Sequence, residues 1–223
     1  MLQIFLMERN VKKSNFLFIK KLNLTLKKYI LMIIMISPYK NVEQFTKIVL
    51  EPYQMNSDIR NNLKINLKKK IEKKCNKNGY VDEIYKILSY SDGIMLPENL
   101  SGNAIYEVSY HCKLCIPIEN SIIIGQVKII NSDLVALTNG PIMMFIPRYN
   151  IDSTIWNVGD NFTHKTKKNV KLAVDDFVCV QVLTKRINQN DTQIKIIGKL
   201  LDIPTVEDVD TYFGSKIDGS NFI

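Results

Sequence analysis

The stretch Ser121–Ile151, SIIIGQVKIINSDLVALTNGPIMMFIPRYNI, leaves the chain few ways to fold. Ser121 to Ile130 is dominated by β-branched residues and ends at Asn131-Ser132. Leu134 to Thr138 ends at Asn139-Gly140, a pair that tolerates positive φ and so marks a tight hairpin turn. Ile142 to Ile146 follows, and Pro147, which has no N–H to donate, stops it. Short strands joined by tight turns predict a small antiparallel barrel. A later pair, Phe177 to Ile187 and Thr192 to Leu201 around the turn Asn188–Asp191, supplies the two strands needed for closure. Gly125 lies in the first strand, where the loss of a side chain suits a sharp coil. Five strands with this spacing fit an OB-type barrel, which usually binds oligonucleotides; periodicity alone leaves other small β-barrels open.

Upstream, the periods change. Asn41 to Leu50 alternates and ends at Glu51-Pro52, as a strand would. Ser57 is placed to cap a helix in which Ile59, Leu63, Leu67 and Ile71 recur every four residues, an apolar stripe on an otherwise Lys-rich cylinder. That Lys-rich face reads either as a solvated surface or as one turned toward phosphate or an acidic partner. Asn76 to Gly79 ends the helix in a turn. Tyr80 to Tyr90, Gly93 to Pro97 and Ala104 to Ile116 read as three strands, the last closed by Pro117. The fold class is therefore α+β. The expected boundaries are a basic N-terminal extension or over-called start over 1–36, an antiparallel sheet with one helix over 37–116, a barrel over 117–203 and an acidic tail over 204–223. Within the tail, Thr205 and Asp208 have the spacing of a capping box at the start of a short helix.

The chain has 223 residues and a net charge of +8, but the charge is uneven. Residues 1–36 and residues 58–77 each carry +6, while residues 78–223 sum to −4. Attraction to phosphate must therefore be local. Residues 1–36 admit several readings: a basic tail, a signal peptide without a good cleavage site, or an upstream extension of a chain that starts at Met32 or Met35. The apolar run Tyr29–Ile36 is too short for a bilayer, which needs about 20 residues.

The cysteines, Cys75, Cys112, Cys115 and Cys179, show no paired spacing of a disulfide framework, which points to a reducing compartment. His111-Cys112-x-x-Cys115 resembles half a zinc site. Residues three apart on a strand face opposite sides, so buried or edge-strand thiols are expected and no metal. No nucleophile elbow and no phosphate-cradling glycine loop is present. Asp175-Asp176 reads as a loop end rather than a Mg²⁺ ligand pair, and His164 as an exposed side chain in a Lys-rich loop. No catalytic residue and no cofactor is expected.

In this order the motifs resemble the seventh subunit of eukaryotic RNA polymerase II and its archaeal counterpart, the E-prime subunit. The resemblance is carried by Glu51-Pro52-Tyr53 before the helix, Gly79-Tyr80-Val81, Gly93-x-x-x-Pro97 with Tyr106-x-Val108-x-Tyr110, Gly125-x-Val127, Gly140-Pro141-x-Met143-x-Phe145-Ile146-x-Arg148 and Gly198 to Asp202. It spans about residues 38–202. The abundance of Lys, Asn and Ile, whose codons are AT-rich, suits the version of a large DNA virus or of a protist.

The resemblance implies a tip domain followed by the OB-type barrel, together forming a non-catalytic stalk. The tip would dock on the RNA polymerase core subunits through the Pro52, Tyr53, Gly93 and Pro97 elements. A small fourth-subunit-type partner would be clasped, nascent RNA contacted, and no membrane involved. The location would be the nucleus, or a cytoplasmic viral factory and the virion. The second barrel strand, Asp133–Leu137, lacks the aromatic on which a base could stack. RNA contact is then left to Lys128, Arg148, Lys165, Lys167, Lys168, Lys171, Lys185 and Arg186, with Tyr149 and Trp156 as platforms. Such contact would be weak and salt-sensitive, on the order of micromolar or poorer at physiological salt. A free-standing OB-type RNA-binding protein in translation or RNA decay is the alternative, although it would have no need of the tip-like module.

Overall fold

The strand Tyr39–Leu50 (β1) shows how the first half is assembled. On one face Gln44, Ile48 and Leu50 are buried and Val42 and Thr46 half-buried, while Phe45, Lys47 and Val49 face outward. The computed structural model describes residues 35, 37–98, 100–158, 162–165 and 171–214. Of the sequence readings, the alternatives for 1–36 therefore lie outside the described residues, apart from Met35.

A single 3₁₀ turn, Pro52–Gln54, leads into helix α1, Ile59–Ile71. Asp58, rather than Ser57, stands at the N-cap. The expected apolar stripe is present: Leu63 and Leu67 are fully buried, and Ile59 and Ile71 pack at its ends. After α1 come β2 (Lys74–Asn76), β3 (Gly79–Tyr90), β4 (Ile94–Met95) and β5 (Ala104–Cys115). The sheet order is β1-β5-β3-β2, with β4 paired to the start of β5. β5 is therefore an interior strand, and Cys112 and Cys115 are buried rather than at an edge. One sheet face, with Ile48, Val81, Ile84, Val108 and Leu114, closes on α1. The sequence reading missed β2, because three residues between a helix and a turn carry no period to detect.

The second half is the closed barrel β6 (Ile122–Ile130), β7 (Leu134–Asn139), β8 (Ile142–Pro147), β11 (Phe177–Arg186) and β12 (Ile194–Leu200). β6, β7 and β8 form an antiparallel meander; β12 runs parallel to β8, and β11 joins β12 to β6. This is the OB-type arrangement expected of the five predicted strands. Alternate residues fill the interior, among them Val178, Val180 and Val182 opposite Ile142, Met144 and Ile146. Gly125 is buried where the Met144 side chain fills the space a Cβ would need. In the Asn139-Gly140 turn, Gly140 takes φ +58°, as the hairpin requires.

Between β8 and β11 lies a second short hairpin, β9 (Trp156–Val158) with β10 (Phe162–His164), which the sequence reading took for a loop. Helix α2, Val206–Gly214, completes the described chain. Its start carries the expected capping box: Asp208 N–H donates to Thr205 Oγ1 (3.2 Å), and Thr205 N–H donates to Asp208 Oδ2 (3.1 Å). Tyr212 on α2 is buried and its phenol oxygen accepts from Asn139 Nδ2 (3.1 Å), while Phe213 packs on Phe177. Sheet and barrel belong to one compact unit and are stitched by main-chain bonds: Cys75 N–H to Asp191 O and Asn190 N–H to Cys75 O, both 2.8 Å.

Candidate nucleic-acid and docking surfaces

The residues expected to meet RNA do not form one face. Lys128 lies near the end of β6, and Arg148 and Tyr149 follow β8, so the parallel course of these two strands brings them to one end of the barrel. Lys185 and Arg186 end β11, which runs antiparallel to β6, so they lie at the opposite end. Lys167 and Lys168 are outside the described residues.

Of these basic groups Lys128 is ion-paired, and Lys165, Lys185, Arg148 and Arg186 each bond a neutral oxygen that fixes them without neutralising them. Lys128 Nζ pairs with Asp175 Oδ1 (2.8 Å), so the turn carrying Asp175-Asp176 neutralises the cation that was to meet phosphate. Asp176 instead holds that turn, accepting from Ala173 N–H (2.8 Å). Lys165 Nζ donates to Ser153 O, Lys185 Nζ to Pro117 O (3.0 Å), Arg148 to Ser132 O (3.3 Å) and Arg186 Nε to Asn188 Oδ1 (3.3 Å). Tyr149 is 84 % exposed and free to stack.

Trp156 is not a platform. It is fully buried, and its indole N–H donates to Leu201 O (2.6 Å). His164, expected to be exposed, is also buried: it stands edge-on to Trp156, with Nε2 at 2.9 Å from Asp202 Oδ1. Both corrections have one cause. The β9–β10 hairpin folds over the residues after β12, so its aromatic and imidazole side chains become a small core of their own. Trp156 and His164 on opposing strands, eight residues apart, were the available signal for that hairpin.

The four residues expected to dock on a polymerase core share one end of the sheet and are all exposed. Pairing of Ile94 with Ile105, and of Leu50 and Met95 with Ala104, brings β4 and the end of β1 together around the start of β5. Pro52 lies beside Gly102. Tyr53 itself is exposed, and around the four stand Ile94, Met95, Leu96, Val49 and Leu100, the last 98 % exposed. Several large apolar side chains are thus exposed at this end of the sheet. Gly93 has a local reason: a Cβ there would lie 2.5 Å from Tyr106 Cζ, so the glycine lets the ring of Tyr106 pack beneath the segment. That packing ties Gly93 to the Tyr106-x-Val108-x-Tyr110 strand physically.

The buried phenols and thiols serve packing. Burial raises the Tyr110 and Tyr212 phenols well above their ordinary value, and it pushes the thiols of Cys75 and Cys112 up to about 11. Neutral thiols of this kind are poor nucleophiles and poor metal ligands. Among the described residues no group of three or more His, Cys, Asp or Glu side chains could hold a metal ion.

No family model matches the chain. A curated protein of Acanthamoeba polyphaga mimivirus, named as a DNA-directed RNA polymerase subunit, is 35% identical to it over 172 residues. The match covers 77% of this chain and 86% of that protein. At this identity, and over nearly the whole relative, the chain belongs to the family of DNA-directed RNA polymerase subunits.

Proposed function

We propose that this chain is the non-catalytic stalk subunit of a multisubunit DNA-directed RNA polymerase. The sheet-and-helix half, residues 37–116, acts as the tip that docks on the core. The barrel from residue 117 projects from it. The observation that carries this reading is the exposed apolar end of the sheet, where Tyr53, Ile94, Met95 and Leu100 surround Pro52, Gly93 and Pro97. A polymerase subunit has core subunits to bury such a surface against; a free-standing RNA binder does not. A small fourth-subunit-type partner would lie along the same stalk, and nascent RNA would pass close to it. The relative's viral source supports a cytoplasmic viral factory as the place of action.

The test is capture of the tagged full chain from the cells that express it, read by mass spectrometry. Recovery of the two largest polymerase subunits with a small partner is expected. Ile94→Asp combined with Leu100→Asp should abolish that recovery without lowering Tm, because neither side chain is buried. Recovery of ribosomal or RNA-decay proteins in place of polymerase subunits would replace the stalk reading with that of a free-standing RNA-binding protein.

A further inference from the structure

We propose that single-stranded RNA is held by a cleft in the sheet half rather than by the barrel's basic residues. This rests on the reading of the chain as an RNA-contacting polymerase subunit. The cleft, about 300 Å³, lies between β1, the C-terminal end of α1, the β2–β3 turn and the β11–β12 loop.

Three lysines line it: Lys70 from the last turn of α1, Lys74 from β2 and Lys77 from the turn that follows. Lysines at a helix C-terminus are commonplace, since the dipole favours cations there. Here, however, three separate elements contribute one each, and no Asp or Glu lines the cleft. Lys70 Nζ donates to Lys47 O (2.7 Å) and Lys74 Nζ to Lys69 O (3.2 Å), bonds that fix the ammonium groups without neutralising them. Of the acids near the cleft, Glu72 is ion-paired elsewhere, while Asp191 keeps its charge and stands close enough to Cys75 to add to burial in raising its thiol pKa. Glu72 pairs with Lys68 (3.5 Å) and accepts from Ile84 N–H, and Asp191 accepts from Asn188 Nδ2 (2.9 Å). Among the described residues, no ion pair is formed by any of the three lysines.

A second observation points to a ligand. Gln44 is 7 % exposed and lies on the cleft wall. The orientation of its amide is fixed by a chain of donors. Asn76 Oδ1 accepts from the N–H groups of Asn78 (2.8 Å) and Gly79 (3.1 Å), so Asn76 Nδ2 is the atom that donates to Gln44 Oε1 (2.8 Å). Tyr110 O–H donates to the same oxygen (3.1 Å). Gln44 Nε2 has no acceptor among the described residues, and since no buried side-chain nitrogen or oxygen there lacks a partner, this donor is open to solvent. An oriented donor open to solvent, on a wall with three ammonium groups that form no ion pair, is a preformed anion site.

Phe45 selects the kind of anion. It is 77 % exposed at the rim of this cleft, and it also lines a shallow groove that runs past Tyr90 on the outer sheet face. A basic groove edged by an exposed aromatic is what a sequence-tolerant strand binder needs, with ammonium groups on the phosphates and a ring under a base. An acidic peptide would use the lysines and leave Phe45 in water.

The experiment uses the full chain and a fluorescein-labelled oligouridylate of about 12 nucleotides, with binding read by anisotropy from about 50 to about 200 mM salt. The variant K70Q/K74Q/K77Q should bind about tenfold or more weakly. Its salt slope should be shallower by about 2, because each phosphate that a lysine neutralises on a single strand adds about 0.7 to the slope. Phe45→Ala should bind about fivefold or more weakly with an unchanged slope. K70R/K74R/K77R should bind like the wild type. The barrel-end variant K128Q/R148Q should stay within about twofold, as ordinary surface charges do. Should the triple Gln variant fail to fold, Lys77→Glu alone, on the exposed turn, should weaken binding about threefold or more. Full binding by the triple variant, weakening only in the barrel-end variant, or displacement of RNA by inorganic phosphate alone at equal phosphate concentration would overturn the proposal. Capture of core subunits by the triple variant separates the two claims. Polymerase recovered with RNA binding unchanged refutes the cleft and leaves the stalk; no polymerase recovered by the wild-type chain refutes the stalk.

Discussion

In the barrel, Trp156 is fully buried and its N–H is satisfied by Leu201, whereas in the sheet half Phe45 stands 77 % exposed beside lysines with no acid partner. In the barrel, Lys128 is paired with Asp175; across the sheet half, Lys77 has no ion partner among the described residues. The two halves carry the same residue types. What differs is whether a later loop returns to cover or neutralise them. The barrel has the β9–β10 hairpin and the Asp175-Asp176 turn for that task. At the end of α1 and on the outer sheet face Lys68 and Lys47 are paired with Glu72 and Glu107, but Lys70, Lys74 and Lys77 form no ion pair among the described residues, and Phe45 stays exposed. The OB-type fold ranks the barrel as the RNA surface, and the convergence of three lysines without ion pairs on one cleft ranks the sheet half above it.

The largest effect that tests this contrast is on stability. Trp156→Ala removes a fully buried indole and leaves Leu201 O without its donor, so it should cost about 3–5 kcal/mol. Thermal or urea unfolding would read this directly. Phe45→Ala, at an exposed position, should stay within about 0.5 kcal/mol of wild type. Trp156→Phe keeps most of the packing and should bind oligouridylate as the wild type does. Loss of RNA affinity by Trp156→Phe with an intact fold would return the aromatic platform to the barrel.

A smaller effect reports on how α2 closes the barrel wall. Tyr212→Phe removes the hydroxyl that accepts from Asn139 Nδ2 and should cost about 1 kcal/mol. The loss is limited because Asn139 Nδ2 also donates to Ile124 O (2.7 Å). Hydrogen exchange should show faster opening around Asn139–Gly140 than around α1, which the substitution does not touch. Equal acceleration in both halves would mean that they open as one unit.

The legible parts of the chain were those whose pattern repeats. Val178, Val180 and Val182 alternate, Leu63 and Leu67 recur at the helical period, and Asn139-Gly140 names its own turn. Strands of three residues such as β2 and β9 contain no full period, so β2 was absorbed into a turn and β9–β10 into a loop. The site was harder for a related reason. Whether a lysine is free depends on partners distant in sequence: Lys128 meets Asp175 from 47 residues away, and Gln44 is oriented by Asn76 from 32 residues away. Charge counting over residues 58–77 did locate the basic face. It could not show that Lys70, Lys74 and Lys77 would converge beside Phe45, since that depends on β2 docking against the Asn190–Asp191 loop.

The smallest predicted effect concerns the barrel end that carries Arg148 and Tyr149. Asp152 accepts from the Thr154 hydroxyl (2.7 Å) and N–H (3.0 Å) and pairs with Lys199 Nζ (3.1 Å), so it fastens the segment after β8 to β12. These interactions, the Thr154 hydrogen bonds foremost, hold its carboxyl down at about 2. A carboxylate depressed in the folded state stabilises the fold above its ordinary value of 3.8 and loses that contribution as pH falls toward about 2. Asp152→Asn should therefore lower Tm modestly at neutral pH, where the carboxylate contribution is present, and flatten the acid side of a Tm-against-pH curve between about pH 4 and about pH 2, where the wild type loses it. RNA affinity should be unaffected if the cleft in the sheet half is the binding site. If the substitution weakens oligouridylate binding at neutral pH, the Arg148–Tyr149 end of the barrel takes part after all, and the contrast between the halves becomes a division of labour along one bound strand.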